Sequence, residues 1–238
     1  MATYLYCVRS DGDPAPAGLS GIDGAGVHSI EAAGLLAWVS DVPGSVDPTV
    51  DRIKAHDAVC AAAMLSGDTP LPIRFGQTFL DDTAASTAIA ARETTLKTRL
   101  ARIAGCAELR LVVSRGRDDV EVREDEPSPA TTSREPDIAG AEGPGTAFLR
   151  RLAHAGRADL AREVGCEQVR HAVRAVAGSL IVDERPCESA RGVSFFPVLV
   201  RRANVDGFRS VVTEGLSTQQ FGLSILGPFA PYSFAGDA

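Results

Sequence analysis

His56, Asp57 and Arg74 are the residues whose types and spacing come nearest to an acid/base site. His56 and Asp57 are neighbours between Ile53 and Cys60, and Arg74 lies beyond a proline-bearing break. An imidazole that titrates near neutrality, a carboxylate and a guanidinium are the parts of a general acid/base centre once folding gathers them. Adjacent residues on a helix, however, project roughly 100° apart, so His56 and Asp57 do not readily pair with each other. We therefore read the trio as a structural polar cluster tying a helix to the next strand. The alternative is a small-molecule-binding protein or enzyme with His56, Asp57 and Arg74 lining its pocket.

The remaining chemistry-bearing residue types form no constellation. His28, His56, His154 and His171 are far apart and none stands at metal-ligand spacing. The sets Gly21/Gly24/Gly26 and Gly140/Gly143/Gly145 lack both the GxGxxG order and a Walker lysine, and there is no GxSxG elbow. No catalytic residue, cofactor or metal is expected, and the chain reads as a non-enzyme. Two segments stand out for another reason. Leu71-Pro72-Ile73-Arg74-Phe75-Gly76-Gln77-Thr78-Phe79 sets an arginine and a glycine in an otherwise apolar run. The C-terminal Gly227-Pro228-Phe229-Ala230-Pro231-Tyr232-Ser233-Phe234 gathers three aromatic residues on a segment stiffened by two prolines, in a chain only 5% aromatic. Such a tail is expected to dock on its own protein as a clasp; the other reading makes it a low-entropy docking peptide for a partner.

The elements that must position these residues fall into two blocks. In the first, Tyr4–Arg9 is rich in aromatic and branched residues, and Val27–Ala32 with Leu35–Asp41 reads as a hairpin around Gly34. Asp47-Pro48 predicts a helix start, with an inward face that includes Ile53, Cys60 and Met64 and a stop at Gly67. Leu71–Phe75 follows as a strand. Asp81-Asp82 opens a second helix carrying Ile89, Leu96, Leu100 and Ile103, and Ala107–Ser114 is the closing strand. That order predicts a modified ferredoxin-like α+β domain over 1–114. The second block, over 144–238, is a smaller α+β domain ending in the docked tail. It opens with a helix near Thr146 that Gly156 and Gly165 interrupt, and continues with strands at Leu180–Asp183, Val193–Val200 and Phe221–Leu226 and a helix capped by Asn204 with Val211 inward. Between the blocks, 115–143 holds nine acidic residues against four arginines, with Pro127, Pro129 and Pro136, and reads as an acidic linker or loop.

Composition narrows the function classes. The 238 residues carry a formal charge of −7, with 45% hydrophobic residues. An acidic chain without a Lys/Arg cluster lacks the counterion-release contribution that nucleic-acid binders use, and an anionic lipid surface is disfavoured for the same reason. Neither nucleic acid nor lipid membrane is expected as a partner. Met1–Arg9 has no targeting-signal pattern, which predicts a cytoplasmic protein. Cys7, Cys60, Cys106, Cys166 and Cys187, odd in number and without a CxxC pair, are expected as small buried hydrophobes.

On these landmarks the chain resembles the gas vesicle protein F/L family. They are the Tyr4-Leu5-Tyr6 strand, the helix with His56-Asp57-Ala58-Val59, the Leu71-Pro72-Ile73-Arg74-Phe75-Gly76 segment, Phe148-Leu149, Leu199-Val200 before Phe208, and the closing Gly227–Phe234 run. Phe229 and Ala230 stand where the family often has tryptophan and proline. The resemblance spans nearly the whole chain. It implies a two-domain, non-catalytic accessory protein of gas vesicle assembly, cytoplasmic before assembly and then vesicle-associated. The implied partners are the hydrophobic shell protein GvpA and other Gvp accessory proteins. His56, Asp57, Arg74, Phe75, Pro228, Phe229, Pro231, Tyr232 and Phe234 become candidate structural or partner-binding residues.

Overall fold

A computed structural model describes residues 1–10, 13–115, 164–190, 193–216 and 221–236. Strand β1 (Ala2–Arg9) is buried from Thr3 onward, as its unbroken run of aromatic and aliphatic residues requires of a central strand. It pairs antiparallel with β3 (Leu35–Val42), which pairs with β2 (Val27–Ala32) as a hairpin. On the other edge of β1 lie two short strands, β4 (Leu71–Pro72) and β5 (Thr78–Phe79). The sheet order β2-β3-β1-β4 is that of a ferredoxin-like layer. The modification is that the β1–β2 connection, as far as it is described, holds a short 3-10 turn at Ile22–Gly24 in place of the first helix.

Helix α1 (Val50–Leu65) covers one face of this sheet. Its buried residues His56, Val59, Cys60, Ala63 and Met64 recur at three- and four-residue intervals, one stripe of a helix. Ile53, expected inward, is instead 48% exposed, because the stripe begins one turn later. The cap is Thr49, whose hydroxyl accepts from Arg52 N at 3.3 Å, and not Asp47. The single second helix expected after Asp81 is two: α2 (Asp82–Ala90), capped by Asp81, and α3 (Glu93–Ile103), with a break at Ala91-Arg92. Together they bury Ile89, Leu96, Leu100 and Ile103 against Leu5, Val8 and Leu71.

Strand β6 (Cys106–Arg115) is the main topological correction. Rather than closing the first sheet, it pairs with β9 (Val193–Arg201) and β10 (Phe221–Phe229). The second sheet runs β10-β6-β9-β7, with β7 (Ile181–Glu184) on one edge and β8 (Glu188–Ala190) also on β9. Helix α4, described over 164–177, lies between β6 and β7, and α5 (Val205–Gly215) lies between β9 and β10. Among the described residues the order is βαββαβ with β8 added on β9, so β6 opens a second ferredoxin-like layer. An alternating strand that leaves a helix through Gly105 satisfies either sheet, and only non-local pairing decides between them. The overall fold is α+β with two antiparallel sheets.

Smaller differences have local causes. Gly165 lies within α4, and Val211 faces outward at 37% exposure while Phe208 and Val212 face in. Cys7, Cys60 and Cys106 are buried free thiols as expected, but Cys166 and Cys187 are disulfide-bonded. Folding brings the inner face of α4 to the segment after β7, with the two Cα atoms 6.2 Å apart, inside disulfide reach. Beyond Arg115 the acidic stretch 115–143, and with it the helix start near Thr146 and Phe148-Leu149, lies outside the described residues. No helix among the described residues is long and apolar enough to cross a membrane.

Candidate functional site

Six of the nine sequence candidates meet in one cleft of about 1060 Å³, lined by His56 and Asp57 of α1, the Leu71–Phe75 run, the start of α3, Glu108 and Arg110 of β6, and Phe229 and Tyr232 of the tail; Pro228, Pro231 and Phe234 do not line it. What builds it is the path of Leu71–Phe79. The strand expected over Leu71–Phe75 ends at Pro72, whose ring supplies no N–H to continue a ladder. The chain then loops off the edge of β1 between two anchors: Ile73 N donates to Tyr6 O at 2.9 Å, and Leu5 N donates to Gln77 O at 3.0 Å. Gly76 turns the loop at φ +89°, a left-handed conformation that glycine adopts without strain.

That loop sends Phe75 inward and leaves Arg74 out. Phe75 packs edge-on against Tyr4 and His56, with ring centroids 5.9 and 5.8 Å apart. His56 is only 3% exposed and also faces Tyr6 and Tyr232 at 5.5 and 6.1 Å. Tyr4 Oη accepts from Gly76 N at 3.1 Å and lies 2.9 Å from His56 Nδ1. The phenol and the imidazole are thus hydrogen-bonded to each other beside the Gly76 turn. Nε2 faces the Cys60 sulfur at 3.8 Å. Burial pushes the Tyr4 phenol well above its ordinary value. Contact with Cys60, and then burial, likewise push the Cys7 thiol up. The imidazole is thus a packed structural group with both nitrogens turned into the core.

Asp57 and Arg74 are exposed, and the Arg74 guanidinium has no hydrogen-bond or ion-pair partner among the described residues. Of the expected trio only His56 makes a polar tie from the helix, to Tyr4 and through it to Gly76, because the edge loop turns Arg74 to solvent. His56, Asp57 and Arg74 share the cleft wall without converging into an acid/base centre.

The tail forms the opposite wall, held by residues that have no motif. Glu108, 1% exposed on β6, accepts from Ser233 N at 2.8 Å and Ser233 Oγ at 2.9 Å. Arg185 Nε donates to Ser233 O at 3.0 Å and spreads its guanidinium 4.9 Å above the Phe234 ring. Arg209 donates to Ile225 O and Gly227 O at 3.0 and 2.6 Å, and Arg99 to Ala235 O at 3.2 Å. A Cβ on Gly227, at φ +109°, would stand 2.8 Å from Glu108 O, so the turn needs glycine. Phe229 continues β10, Pro228 is exposed, and Pro231 and Phe234 are buried, followed by the short helix α6 (Tyr232–Ala235). Burial, then Cys60, raise the Tyr232 phenol above its ordinary value, and its hydroxyl meets no hydrogen-bond partner among the described residues. Alternation in β6, with Leu109 and Leu111 toward the helices and Glu108 and Arg110 away, was the available signal for Glu108; a lone strand carboxylate does not show what it will grip.

An α+β protein of two antiparallel layers, with a cleft closed on one side by its own C-terminus, is the class that this geometry defines. The model of the family described as "Gas vesicle synthesis protein GvpL/GvpF" matches residues 2–236, and the chain belongs to that family. It is 29% identical over 245 residues to gas vesicle protein F of Streptomyces sp. (strain CB03234), covering 98% of this chain and 99% of the relative. Gas vesicle protein L of the same strain is 27% identical over 257 residues, covering 99% and 93%. The crystal structure of GvpF from Microcystis aeruginosa shares the fold at TM-score 0.69 and 17% identity, covering 99% of both chains. That of GvpF from Anabaena sp. PCC7120 does so at TM-score 0.70 and 17% identity, covering 100% of this chain and 99% of the other. Family membership gives the protein a gas-vesicle-related role.

Proposed function

We propose that this protein is a non-catalytic assembly factor that binds the hydrophobic shell protein GvpA, and through it other Gvp proteins, at the cleft between α1, the Ile73–Gln77 loop and the C-terminal tail. One observation carries the reading: three of the segments on which the family resemblance rests, the His56-Asp57 helix, the Leu71–Phe75 run and the C-terminal tail, line a single cleft, with Ile53 half-exposed at its edge. A shell subunit with a gas-facing apolar surface aggregates in water unless something covers it, and an apolar cleft with a polar rim is such a cover. The enzyme alternative needs a free base, and the His56 nitrogens both face the core.

The test is co-expression with GvpA followed by affinity capture of the tagged chain. Ile53→Asp, at a half-exposed position outside both buried clusters, should leave the melting temperature nearly unchanged and cut GvpA recovery severalfold. Equal GvpA recovery by a folded Ile53→Asp variant would remove the cleft from the interface.

A further inference from the structure

The cations of this acidic chain are not distributed evenly over its surface. Among the arginines whose side chains are described, all but two donate to a carboxylate, carbonyl or hydroxyl. Arg52 pairs with Asp23, Arg102 with Asp183, Arg170 and Arg174 with Glu184, and Arg201 and Arg202 hold the carbonyls of Ala104 and Gly67. The two exceptions, Arg74 and Arg92, are both exposed and both line the cleft. Lys54, also exposed and also on the cleft wall, has no partner among the described residues either, whereas Lys97 pairs with Glu93. Arg99 and Arg110 also line the cleft. Against these, the cleft's carboxylates are Asp57 at the rim and Glu108, whose oxygens are already occupied by Ser233 and Arg110.

We propose that the cleft recognises an acidic amphipathic peptide segment of a partner protein, its carboxylates placed against Lys54, Arg74 and Arg92 and its aliphatic side chains against Ile53, Ile73 and Phe229. The occupant follows from charge and distribution. The unpaired cations sit on different elements, α1, the edge loop and the start of α3, so they suit carboxylates spaced along a chain better than a single compact phosphate. The apolar wall between them selects a segment that is not uniformly polar. In a chain of net charge −7, a positive cleft also steers an acidic segment to this site and repels it elsewhere. The inference deepens the proposed function, since it assigns partner recognition to the same cleft, and it adds the chemistry of the recognised segment.

The probe is a fluorescein-labelled synthetic peptide of alternating Leu/Ile and Glu/Asp, with a Gln/Asn counterpart of the same length, titrated with the full chain by fluorescence anisotropy. The acidic peptide should bind, the neutral one at least about tenfold more weakly, and raising salt from roughly 50 to 500 mM should weaken the acidic complex. The double variant Arg74→Glu/Arg92→Glu should lose at least about tenfold in affinity, while the charge-matched control Lys97→Glu/Arg174→Glu, away from the cleft, stays within about twofold. Should the Glu double variant melt early, Arg74→Gln/Arg92→Gln serves in its place, and it should show reduced affinity and a shallower salt dependence. No binding of the acidic peptide, equal binding of both peptides, or equal loss in the control overturns the inference. GvpA capture that persists while the acidic peptide fails sinks this inference alone; peptide binding with no GvpA capture sinks the shell-protein reading alone.

Discussion

At the scale of single residues, the cleft separates groups that hold the fold from groups that face out of it, although the sequence presents them side by side. His56 is enclosed by Tyr4, Tyr6, Phe75 and Tyr232, and its Nδ1 is hydrogen-bonded to the Tyr4 phenol. His56→Ala removes the Tyr4 phenol's imidazole partner in the core, and we expect a loss of about 1–3 kcal/mol in urea denaturation. Arg74→Ala removes an exposed side chain with no described partner and should stay within about 0.5 kcal/mol of the parent. A large loss for Arg74→Ala with none for His56→Ala would reverse the assignment. Glu108→Ala strips acceptors from Ser233 N and Oγ beneath the tail and should cost about 1–3 kcal/mol, seen also as earlier proteolysis of the C-terminus.

At the scale of elements, periodicity carried most of the information. The stripe on α1, the Val27–Val42 hairpin and the unbroken run of β1 were legible because each has a local signature in spacing or composition. The excursion of Ile73–Gln77 was not: leaving an edge after Pro72 depends on β1 supplying Tyr6 O and Leu5 N as anchors, and nothing within Leu71–Phe79 announces those partners. The allegiance of β6 was hidden for the same reason, and so was Glu108's grip on a residue more than a hundred positions away. The start of α2 shows an element-scale electrostatic effect. Asp82 is held below the usual carboxylate range by the Thr3 hydroxyl at 2.6 Å and then by His28 at 3.1 Å, tying α2 to β1 and β2. A carboxyl with a depressed folded pKa contributes stability above its unfolded value near 4, and that contribution is lost as pH falls through the folded value. Stability should therefore fall on acidification below about pH 4, and Asp82→Asn should flatten that part of the profile. An unchanged acid slope in Asp82→Asn would show that other carboxylates govern it.

At the scale of the whole molecule, the two sheets do not keep separate cores. One buried cluster joins Tyr4, Tyr6, Trp38 and Cys60 of the first layer to Leu109, Phe196, Phe208 and Val212 of the second. The other joins Leu5, Val8, Ile89 and Leu96 to Leu199 of β9 and Phe234 of the tail. Phe234, 1% exposed, therefore sits in the seam between the layers, and truncation should loosen both of them rather than the second alone. Phe234→Ala is expected to cost about 3–5 kcal/mol, the range for a buried phenylalanine that leaves a cavity. The two layers can be followed separately because Trp38, the chain's single tryptophan, is buried in β3 of the first sheet. Far-UV circular dichroism reads helices and strands of both layers. With a shared core, tryptophan fluorescence and circular dichroism should give one coincident urea transition in the parent chain, and Phe234→Ala should move both probes by the same amount. Two separated transitions, or a Phe234→Ala shift confined to circular dichroism, would mean that the layers unfold independently and that the tail belongs to the second one only.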